Sequence, residues 1–254
     1  MTGVQTCALP ICGGKLTAAS TALSDGTVGS ALDSGSLSSS GSSAINAAVT
    51  ASSATVSGGT LTIGSGGKLT APTTVNASAD LVTASGVTDG LADAQPLTVN
   101  GSLTLGGDES VGIFSLGGAL LSGAKLTATS TVLSAGTVGS ALDTGSLSSS
   151  GASAINAAVS ASSATVTGGT LTIGGGGKLT APTTVNASAA LVTAPGVTDG
   201  LADAQPLTVN GSLTLGGNET VGTFSLGGTL LSGGKLTATS TVLSAGTEIG
   251  RAHV

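Results

Sequence analysis

The chain lacks the residue types on which most enzyme active sites and large globular cores depend. Its 254 residues include no Trp, no Tyr, two Phe and one His, and only 7% of them are charged. Large aromatic rings fill the cores of many globular enzymes, and charged groups carry out much of their chemistry. The composition therefore argues against a globular enzyme.

Positive charge and long apolar runs are also scarce. Six basic residues stand against twelve acidic ones, so the net charge is −6. Proteins that bind nucleic acid present a cationic patch to the phosphates, and this chain offers none. No apolar run approaches the roughly 18 residues that a membrane helix needs. We expect no nucleic-acid partner and no membrane insertion in this segment.

What the chain has in abundance is Gly, Ser and Thr, with 43 Gly and 76 Ser and Thr. The mean hydropathy is nevertheless positive, at +0.49. A chain with low charge and positive hydropathy can collapse, so disorder is not the expectation. The composition is typical of a repetitive β protein.

The two termini differ in character from the rest of the chain. Residues 1–11 (MTGVQTCALPI) and 248–254 (EIGRAHV) resemble translations of a short-read sequencing adapter and of its reverse complement. Cys12 stands where the internal repeat has Ser122 and Ser232, as expected if a codon was altered at the junction. We therefore interpret residues 1–12 and 248–254 as artefacts and 13–247 as the protein segment.

This interpretation removes several candidate sites. Cys7 and Cys12 could otherwise be taken for a disulfide or a two-thiol metal site. With Arg251 and His253 they lie in the two artefactual ends, which we expect to pack poorly. We predict no catalytic residue, no metal site and no cofactor in the remaining segment.

A long internal repeat organises that segment. Residues 15–124 align with 125–234 without a gap, and 95 of the 110 positions are identical. A partial third copy covers 235–247. A fixed period of this kind indicates a repeat architecture in which each unit packs on its neighbours.

Within each repeat, short runs alternate apolar residues with Thr, as in Thr60–Ile63, Leu97–Val99 and Leu103–Leu105. This period of two predicts half-buried strands, and Gly-Gly pairs between them predict tight corners. Residues 42–52 (SSAINAAVTAS) are the best helical candidate, and we interpret them as a strand segment rich in small residues. The fold class is predicted to be all-β.

The alternation of inward-facing and outward-facing residues, called parity below, distinguishes an antiparallel hairpin at Asn100-Gly101 from a corner in a β-solenoid. Asn-Gly between alternating runs is a strong hairpin signal. A two-residue turn, however, would place Val99 opposite Ser102 and Leu97 opposite Thr104. Alternation instead continues through the dipeptide, which favours a corner in a parallel β-helix (β-solenoid), although a three-residue loop would also restore parity. A gapless repeat must hold a whole number of coils, five of about 22 residues or six of about 18, which gives about 10–12 coils in all.

Runs such as GTLTIG, LTVNGSLTLGG, DESVGIFSLGG and GGKLTA resemble the repeat regions of filamentous-haemagglutinin-like exoproteins and the passenger regions of autotransporter adhesins. The resemblance covers 13–247. It implies a right-handed parallel β-helix that a Gram-negative bacterium secretes to its surface as an adhesive stalk. It supplies no catalytic residue to carry over.

Acidic residues are the remaining candidates for chemistry. Asp108-Glu109 is the one adjacent acidic pair, and paired carboxylates serve glycoside hydrolysis. Neighbouring strand residues point to opposite faces, and the second repeat has Asn218-Glu219, so we interpret these positions as a solvated corner.

Three weaker patterns complete the inventory. The Asp residues of the two VTDGLADA runs could hold calcium, but Asp-Gly there indicates a turn. Asn-X-Ser/Thr sequons, such as those that begin at Asn76, Asn100 and Asn218, are expected by chance in a chain so rich in Ser and Thr. An alternating Thr row could suggest ice binding, but it does not recur in every coil. The residues are Asp89, Asp93, Asp199 and Asp203 in the VTDGLADA runs, Asn76, Asn100 and Asn218 in the sequons, and Thr127, Thr129 and Thr131 in the Thr row.

The sequence thus predicts a non-enzymatic structural or adhesive segment of a large secreted surface protein. Its partners would be neighbouring repeats of the same chain and a ligand on a host or biofilm surface. Two alternatives stay open, a polysaccharide-processing β-helix enzyme and tandem immunoglobulin-like adhesin domains of about 110 residues each, close to the usual size of such domains.

Overall fold

The computed structural model describes residues 14–121 and 123–250, the last three by their backbone alone. Every regular element in that part of the chain is a β-strand, and it contains no helix. The chain forms two compact units that divide between Thr129 and Ser130. In each unit the strands belong to two sheets, named here sheet 1 and sheet 2, and each coil contributes to both.

Strands are numbered along the chain. In the first unit, sheet 1 is formed by β1 (Leu16–Leu23), β3 (Leu32–Ser39), β5 (Ala48–Ala51), β6 (Ala54–Val56), β8 (Lys68–Thr70), β9 (Thr73–Val75), β11 (Leu97–Val99) and β13 (Glu109–Leu116). Sheet 2 is formed by β2 (Thr27–Val28), β4 (Ser43–Ile45), β7 (Gly59–Ile63), β10 (Ala79–Thr83), β12 (Ser102–Thr104) and β14 (Ala119–Leu120).

The second unit repeats this order, with β15 spanning the division. Its sheet 1 is formed by β15 (Leu126–Leu133), β17 (Leu142–Ser149), β19 (Ala158–Val166), β21 (Lys178–Thr180), β22 (Thr183–Val185), β24 (Leu207–Val209), β26 (Glu219–Leu226) and β28 (Leu236–Leu243). Its sheet 2 is formed by β16 (Thr137–Val138), β18 (Ala152–Ile155), β20 (Gly169–Ile173), β23 (Ala189–Thr193), β25 (Ser212–Leu215), β27 (Thr229–Ser232) and β29 (Thr247–Gly250).

The strand register confirms the parallel solenoid. Four parallel register pairs follow one another from coil to coil in sheet 2. They are Val28–Ile45, Ile45–Ile63, Ile63–Thr83 and Val82–Thr104. In sheet 2 these register partners are therefore 17 to 22 residues apart along the chain. Each 110-residue repeat contributes six strands to sheet 2, so of the two predicted coil numbers, five and six, the structure has six per repeat. Strand β29 of the partial third repeat adds a thirteenth coil.

The core consists of aliphatic side chains stacked from coil to coil. Leu61, Leu81, Leu103 and Leu120 occupy successive coils in register, and each is at most 1% exposed. Burial of such a side chain contributes about 1.5–3 kcal/mol, but only if the neighbouring coils cover it. The fold is thus stabilised by stacking, as in other repeat proteins.

Asn100-Gly101 forms a corner between the sheets. β11 before it pairs with β9 and β13 in sheet 1, and β12 after it pairs with β10 and β14 in sheet 2. Both Leu97 and Leu103 are buried, as the parity predicted. The strand pairs described around this corner and along the rest of the first unit are parallel, whereas immunoglobulin-like sandwiches require antiparallel pairing, so such sandwiches are excluded here.

Two further expectations concern local structure. Residues 42–52 contain β4 and β5, which confirms the strand interpretation of this segment. At the C-terminus, the backbone of 248–250 pairs with β27, so these residues join sheet 2 where we expected poor packing. Strand pairing uses backbone groups, which any sequence supplies. Residues 1–12 and 251–254, with Cys7, Cys12, Arg251 and His253, lie outside the described residues.

Candidate functional site

The longest coil of each repeat contains a segment without strand, named here the wide loop: residues 84–96 in the first repeat and 194–206 in the second. Turn-forming residues in its sequence, ASGVTDGLADAQP in the first repeat, account for it. Asp89 adopts a left-handed backbone conformation with φ of 60°. Val87 and Leu91 fold back and are 8% and 3% exposed. The loop is thus anchored on the core at two points.

Glu109 lies beneath this loop and is buried, at 2% exposure. Its Oε1 accepts a hydrogen bond from the Gly90 amide at 3.1 Å, and its Oε2 accepts one from the Leu91 amide at 2.9 Å. The solvated-corner interpretation is therefore wrong for Glu109. It holds for the neighbouring Asp108, which is exposed and accepts the amide of Lys125 at 2.9 Å.

The second repeat contains the same arrangement. Glu219 is 1% exposed, and its Oε2 accepts the amide of Leu201 at 2.9 Å. Its Oε1 has no hydrogen-bond partner within the described ranges. Asn218 accepts the amide of Lys235 at 2.9 Å, as Asp108 does for Lys125. Because an amide oxygen can replace the carboxylate at that corner, charge is not required there.

The protonation of these carboxyl groups is governed by burial. Loss of solvent raises the pKa of Glu109 above its usual value, whereas the amide hydrogen bonds from Leu91 and Gly90 act against this rise. Asp89 raises the pKa further and Lys68 lowers it. Burial likewise raises the pKa of Glu219, the hydrogen bond from the Leu201 amide acts against this rise, Asp199 raises the pKa further and Lys178 lowers it.

A buried acid of raised pKa resembles a catalytic acid, but this one is closed off. A Cβ atom added to Gly90 would lie 3.0 Å from Oε1 of Glu109, 2.9 Å from Cγ1 of Val87 and 3.1 Å from Cγ2 of Ile63. A substrate group would have to enter this same occupied space. In this arrangement the carboxylate binds the chain's own backbone and fixes the wide loop.

The parity of the strand could have identified this residue from sequence. Glu109 is two positions before Val111 in β13, and both side chains point into the core. The same parity rule that placed Leu97 and Leu103 inward also places Glu109 inward. Sequence reasoning missed it because a charged residue was assumed to be solvated.

The other acidic candidates lie on the surface. Asp89, Asp93, Asp199 and Asp203 are all exposed, and the left-handed φ of Asp89 and Asp199 confirms the predicted turns. Over residues 14–121 and 123–250, no group of three or more His, Cys, Asp or Glu is close enough to hold a metal ion. Among the sequon residues, Asn100 and Asn218 are exposed and Asn76 is half-buried.

The predicted Thr row does not lie on one face. Thr127 and Thr129 are exposed, but Thr131 is 1% exposed and its Oγ1 donates to Oγ1 of Thr144 at 3.0 Å. Strand alternation is interrupted in the middle of β15, where Thr129 and Ser130 both avoid the core. This interruption turns Thr131 inward, as a bulge does in a β-ladder.

A different hydroxyl array does form on the outer face of sheet 1, and is named here the hydroxyl row. In each repeat, five Ser and Thr residues follow one another from coil to coil in strict register. Stacked strands place successive members about 4.8 Å apart. The members are Ser38, Thr55, Thr74, Thr98 and Ser115 in the first unit, and Ser148, Thr165, Thr184, Thr208 and Ser225 in the second.

Fold and surface together define a β-solenoid built from long tandem repeats. No protein-family model matches the chain, and no curated protein or solved structure matches it. Among the described residues there is no helix long and apolar enough to cross a membrane.

Proposed function

We propose that this segment is a non-enzymatic stalk of a large, secreted bacterial surface protein, and that its outer face is adhesive. The observation that carries the proposal is the hydroxyl row, which both repeats build at the same positions. Each repeat contains the same number of coils and builds the row from the same positions, so each added repeat adds another copy of this row. A long surface projection needs both properties.

The chemistry of the row supports adhesion. Ser and Thr hydroxyls donate and accept hydrogen bonds, and they carry no charge that solvent ions could screen. A ladder of them offers many weak contacts to a carbohydrate or mineral surface, and avidity arises from their number. The ligand class proposed is therefore a hydroxyl-rich or hydrated surface on a host cell or in a biofilm.

The polysaccharide-processing alternative has less support. The one adjacent acidic pair, which suggested such an enzyme, includes Glu109, and this residue is buried and hydrogen-bonded to the backbone of the wide loop. Its neighbour Asp108 lies at an exposed corner and accepts a backbone amide. Incubation of the protein with neutral and acidic polysaccharides addresses this directly. Turnover that disappears in a Glu109→Gln, Glu219→Gln double variant would favour the enzyme.

Adhesion is tested with beads coated with the protein and placed on glycan, mineral and epithelial-cell surfaces. The test variant changes Thr165, Thr184 and Thr208 to Val, which keeps the β-branched shape but removes three hydroxyls of the row. The control changes Thr170, Thr172 and Thr214 to Val on the outer face of sheet 2. We expect the first variant to lose retention and the control to keep it. Retention no better than that of uncoated beads would contradict the proposal.

A further inference from the structure

The hydroxyl row is the middle column of a wider surface on sheet 1. In each coil that contributes to the row, burial alternates over five consecutive residues, so the first, third and fifth side chains face outward. The third residue belongs to the row, and the first and fifth form a flank on each side of it. We name this surface the outer strip. In the first repeat it is built from residues 36–40, 53–57, 72–76, 96–100 and 113–117, and the second repeat has the equivalent residues 110 positions later.

The flank before the row contains prolines on adjacent coils. β9 and β11 pair in register, and each follows directly on a proline, Pro72 or Pro96. The second repeat has Pro182 and Pro206 at these positions, before β22 and β24. A proline ring exposes C–H groups and its nitrogen has no hydrogen to donate, so this flank is an apolar ridge.

The flank after the row contains asparagines on the same coils. Asn76 and Asn100 follow β9 and β11, and Asn186 and Asn210 follow β22 and β24. Each side-chain amide offers two donors and one acceptor oxygen for hydrogen bonds. The hydroxyl row therefore lies between an apolar ridge on one side and amide groups on the other.

The outer strip has no charged residue. Its outward positions in both repeats are occupied by Ser, Thr, Asn, Pro, Ile and Gly alone. An anionic ligand would lose hydration against this surface without a cation to pair with, and the net charge of −6 would repel it. The strip therefore favours a neutral ligand.

A neutral sugar ring fits the arrangement across the strip. The hydroxyls of a pyranose lie around the edge of the ring, whereas its faces consist largely of C–H groups. A ring face can pack on the prolines while edge hydroxyls bond to the row and the asparagines, which combines apolar contact with a few placed polar groups. Along the strip the members recur about every 4.8 Å, close to the length of one unit in an extended β-1,4-linked chain.

We propose that the outer strip binds a neutral, extended polysaccharide of the β-1,4-linked glucan type, which lies along the stacked coils with one sugar unit per coil. The hydroxyl row bonds to the hydroxyls of this chain, and the prolines and asparagines select a neutral ring over other ligands. This inference depends on the proposed adhesive function and names its ligand class.

The test is affinity electrophoresis of the full chain through native gels that contain a soluble polysaccharide. Hydroxyethyl cellulose is neutral and extended, carboxymethyl cellulose has the same backbone with added carboxylates, and dextran is neutral but flexible. We expect hydroxyethyl cellulose to retard the protein. We expect at least about tenfold weaker apparent affinity for the other two probes, because one is repelled and the other must be ordered on binding.

A proline variant tests the apolar ridge. It replaces four prolines by Ser, a residue that already stands in this flank at Ser36 and Ser53. The control is Pro195→Ser, because Pro195 is exposed in the wide loop of the second repeat and the first repeat has Ser85 there. We expect the variant to lose at least about fivefold in apparent affinity through lost apolar contact, and the control to keep it. The four substitutions are Pro72→Ser, Pro96→Ser, Pro182→Ser and Pro206→Ser.

A second variant, Asn76→Ser with Asn186→Ser, tests the opposite flank. Ser57 and Thr167 occupy the equivalent positions of the neighbouring coils, so a small hydroxyl side chain fits there. This variant is expected to weaken binding as well, and it decides the matter if circular dichroism shows that the proline variant does not fold.

The proposal is overturned if hydroxyethyl cellulose does not retard the protein, or if either of the other probes retards it equally. It is also overturned if folded variants of both flanks keep the affinity of the parent protein. Coated beads that adhere to mineral or to cells, while no gel retards the protein, would overturn this inference and leave the adhesive stalk standing. Beads that adhere to no surface, with a protein that no gel retards, would contradict both proposals.

Discussion

The carboxylate of Glu109 accepts the backbone amide of Leu91 at 2.9 Å, from a coil that lies 18 residues earlier in the chain. The second repeat places Glu219 against Leu201 at the same distance. A buried charge is costly unless it is hydrogen-bonded, so this contact links the geometry of the wide loop to the protonation of one side chain.

That link predicts a specific pH dependence. Burial raises the folded-state pKa of Glu109 and Glu219 above the ordinary value of 4.5. Between 4.5 and the raised pKa the folded protein binds more protons than the unfolded chain, so the free energy of unfolding falls as pH rises through this interval. A Glu109→Gln, Glu219→Gln double variant should show a flatter dependence in urea titrations at successive pH values. Asp108→Asn, at an exposed corner, is the control, and an unchanged slope in the double variant would count against this account.

Removal of the acceptor should destabilise the wide loop. Glu109→Ala leaves the Gly90 and Leu91 amides without their acceptor, and each buried unsatisfied group costs about 1–3 kcal/mol. Glu109→Gln keeps one acceptor oxygen and should cost less. Urea unfolding measures the loss of unfolding free energy in each variant. Hydrogen exchange at the Gly90 and Leu91 amides shows whether the loss arises in the wide loop. Equal stability of the Ala variant and the parent protein would show that the contact is unimportant.

Close contact between coils predicts opposite effects for two glycines. A Cβ atom at Gly101 would overlap the carbonyl oxygens of Asn76 and Ala79, whereas one at Gly58 would lie 3.6 Å from the oxygen of Ser40, an ordinary contact. Gly101→Ala should destabilise by about 1–3 kcal/mol through overpacking. Gly58→Ala should be neutral or stabilise by up to about 1 kcal/mol, because it restricts the unfolded chain. The urea midpoints of the two variants measure this difference in stability. A Gly101→Ala variant as stable as Gly58→Ala would contradict the corner geometry.

The parity of the strands predicts a similar contrast between neighbours. Leu103 is 0% exposed and Thr104 is half-exposed on the outer face. Leu103→Asp places an unpaired carboxylate in the core and should destabilise by at least about 3 kcal/mol, while Thr104→Asp should cost less than about 1 kcal/mol. Thermal unfolding followed by circular dichroism measures both. Similar losses for the two variants would mean that the inward face has been assigned wrongly.

The contrast between Leu103 and Glu109 shows how far the sequence determines this fold. Alternation through Asn100-Gly101 predicted the corner, the buried Leu97 and Leu103 and the parallel coils, because one inward face must be kept along the whole chain. The wide loop has no alternation, so its left-handed Asp89 and its anchor on Glu109 depend on contacts between coils. Thr131 likewise turns inward at an interruption in β15 that the regular alternation of Thr127, Thr129 and Thr131 conceals.

The most direct test of the stacked coils is the proximity of Thr74 and Thr98. These residues are register partners on adjacent parallel strands, β9 and β11, at the usual strand spacing of about 4.8 Å. Spin labels are attached at Thr74→Cys and Thr98→Cys in a chain whose Cys7 and Cys12 are changed to Ser. The account predicts strong dipolar broadening in the doubly labelled protein relative to the two singly labelled ones. A spectrum equal to the sum of the singly labelled spectra would show that the two strands are not neighbours, and would contradict the parallel stack.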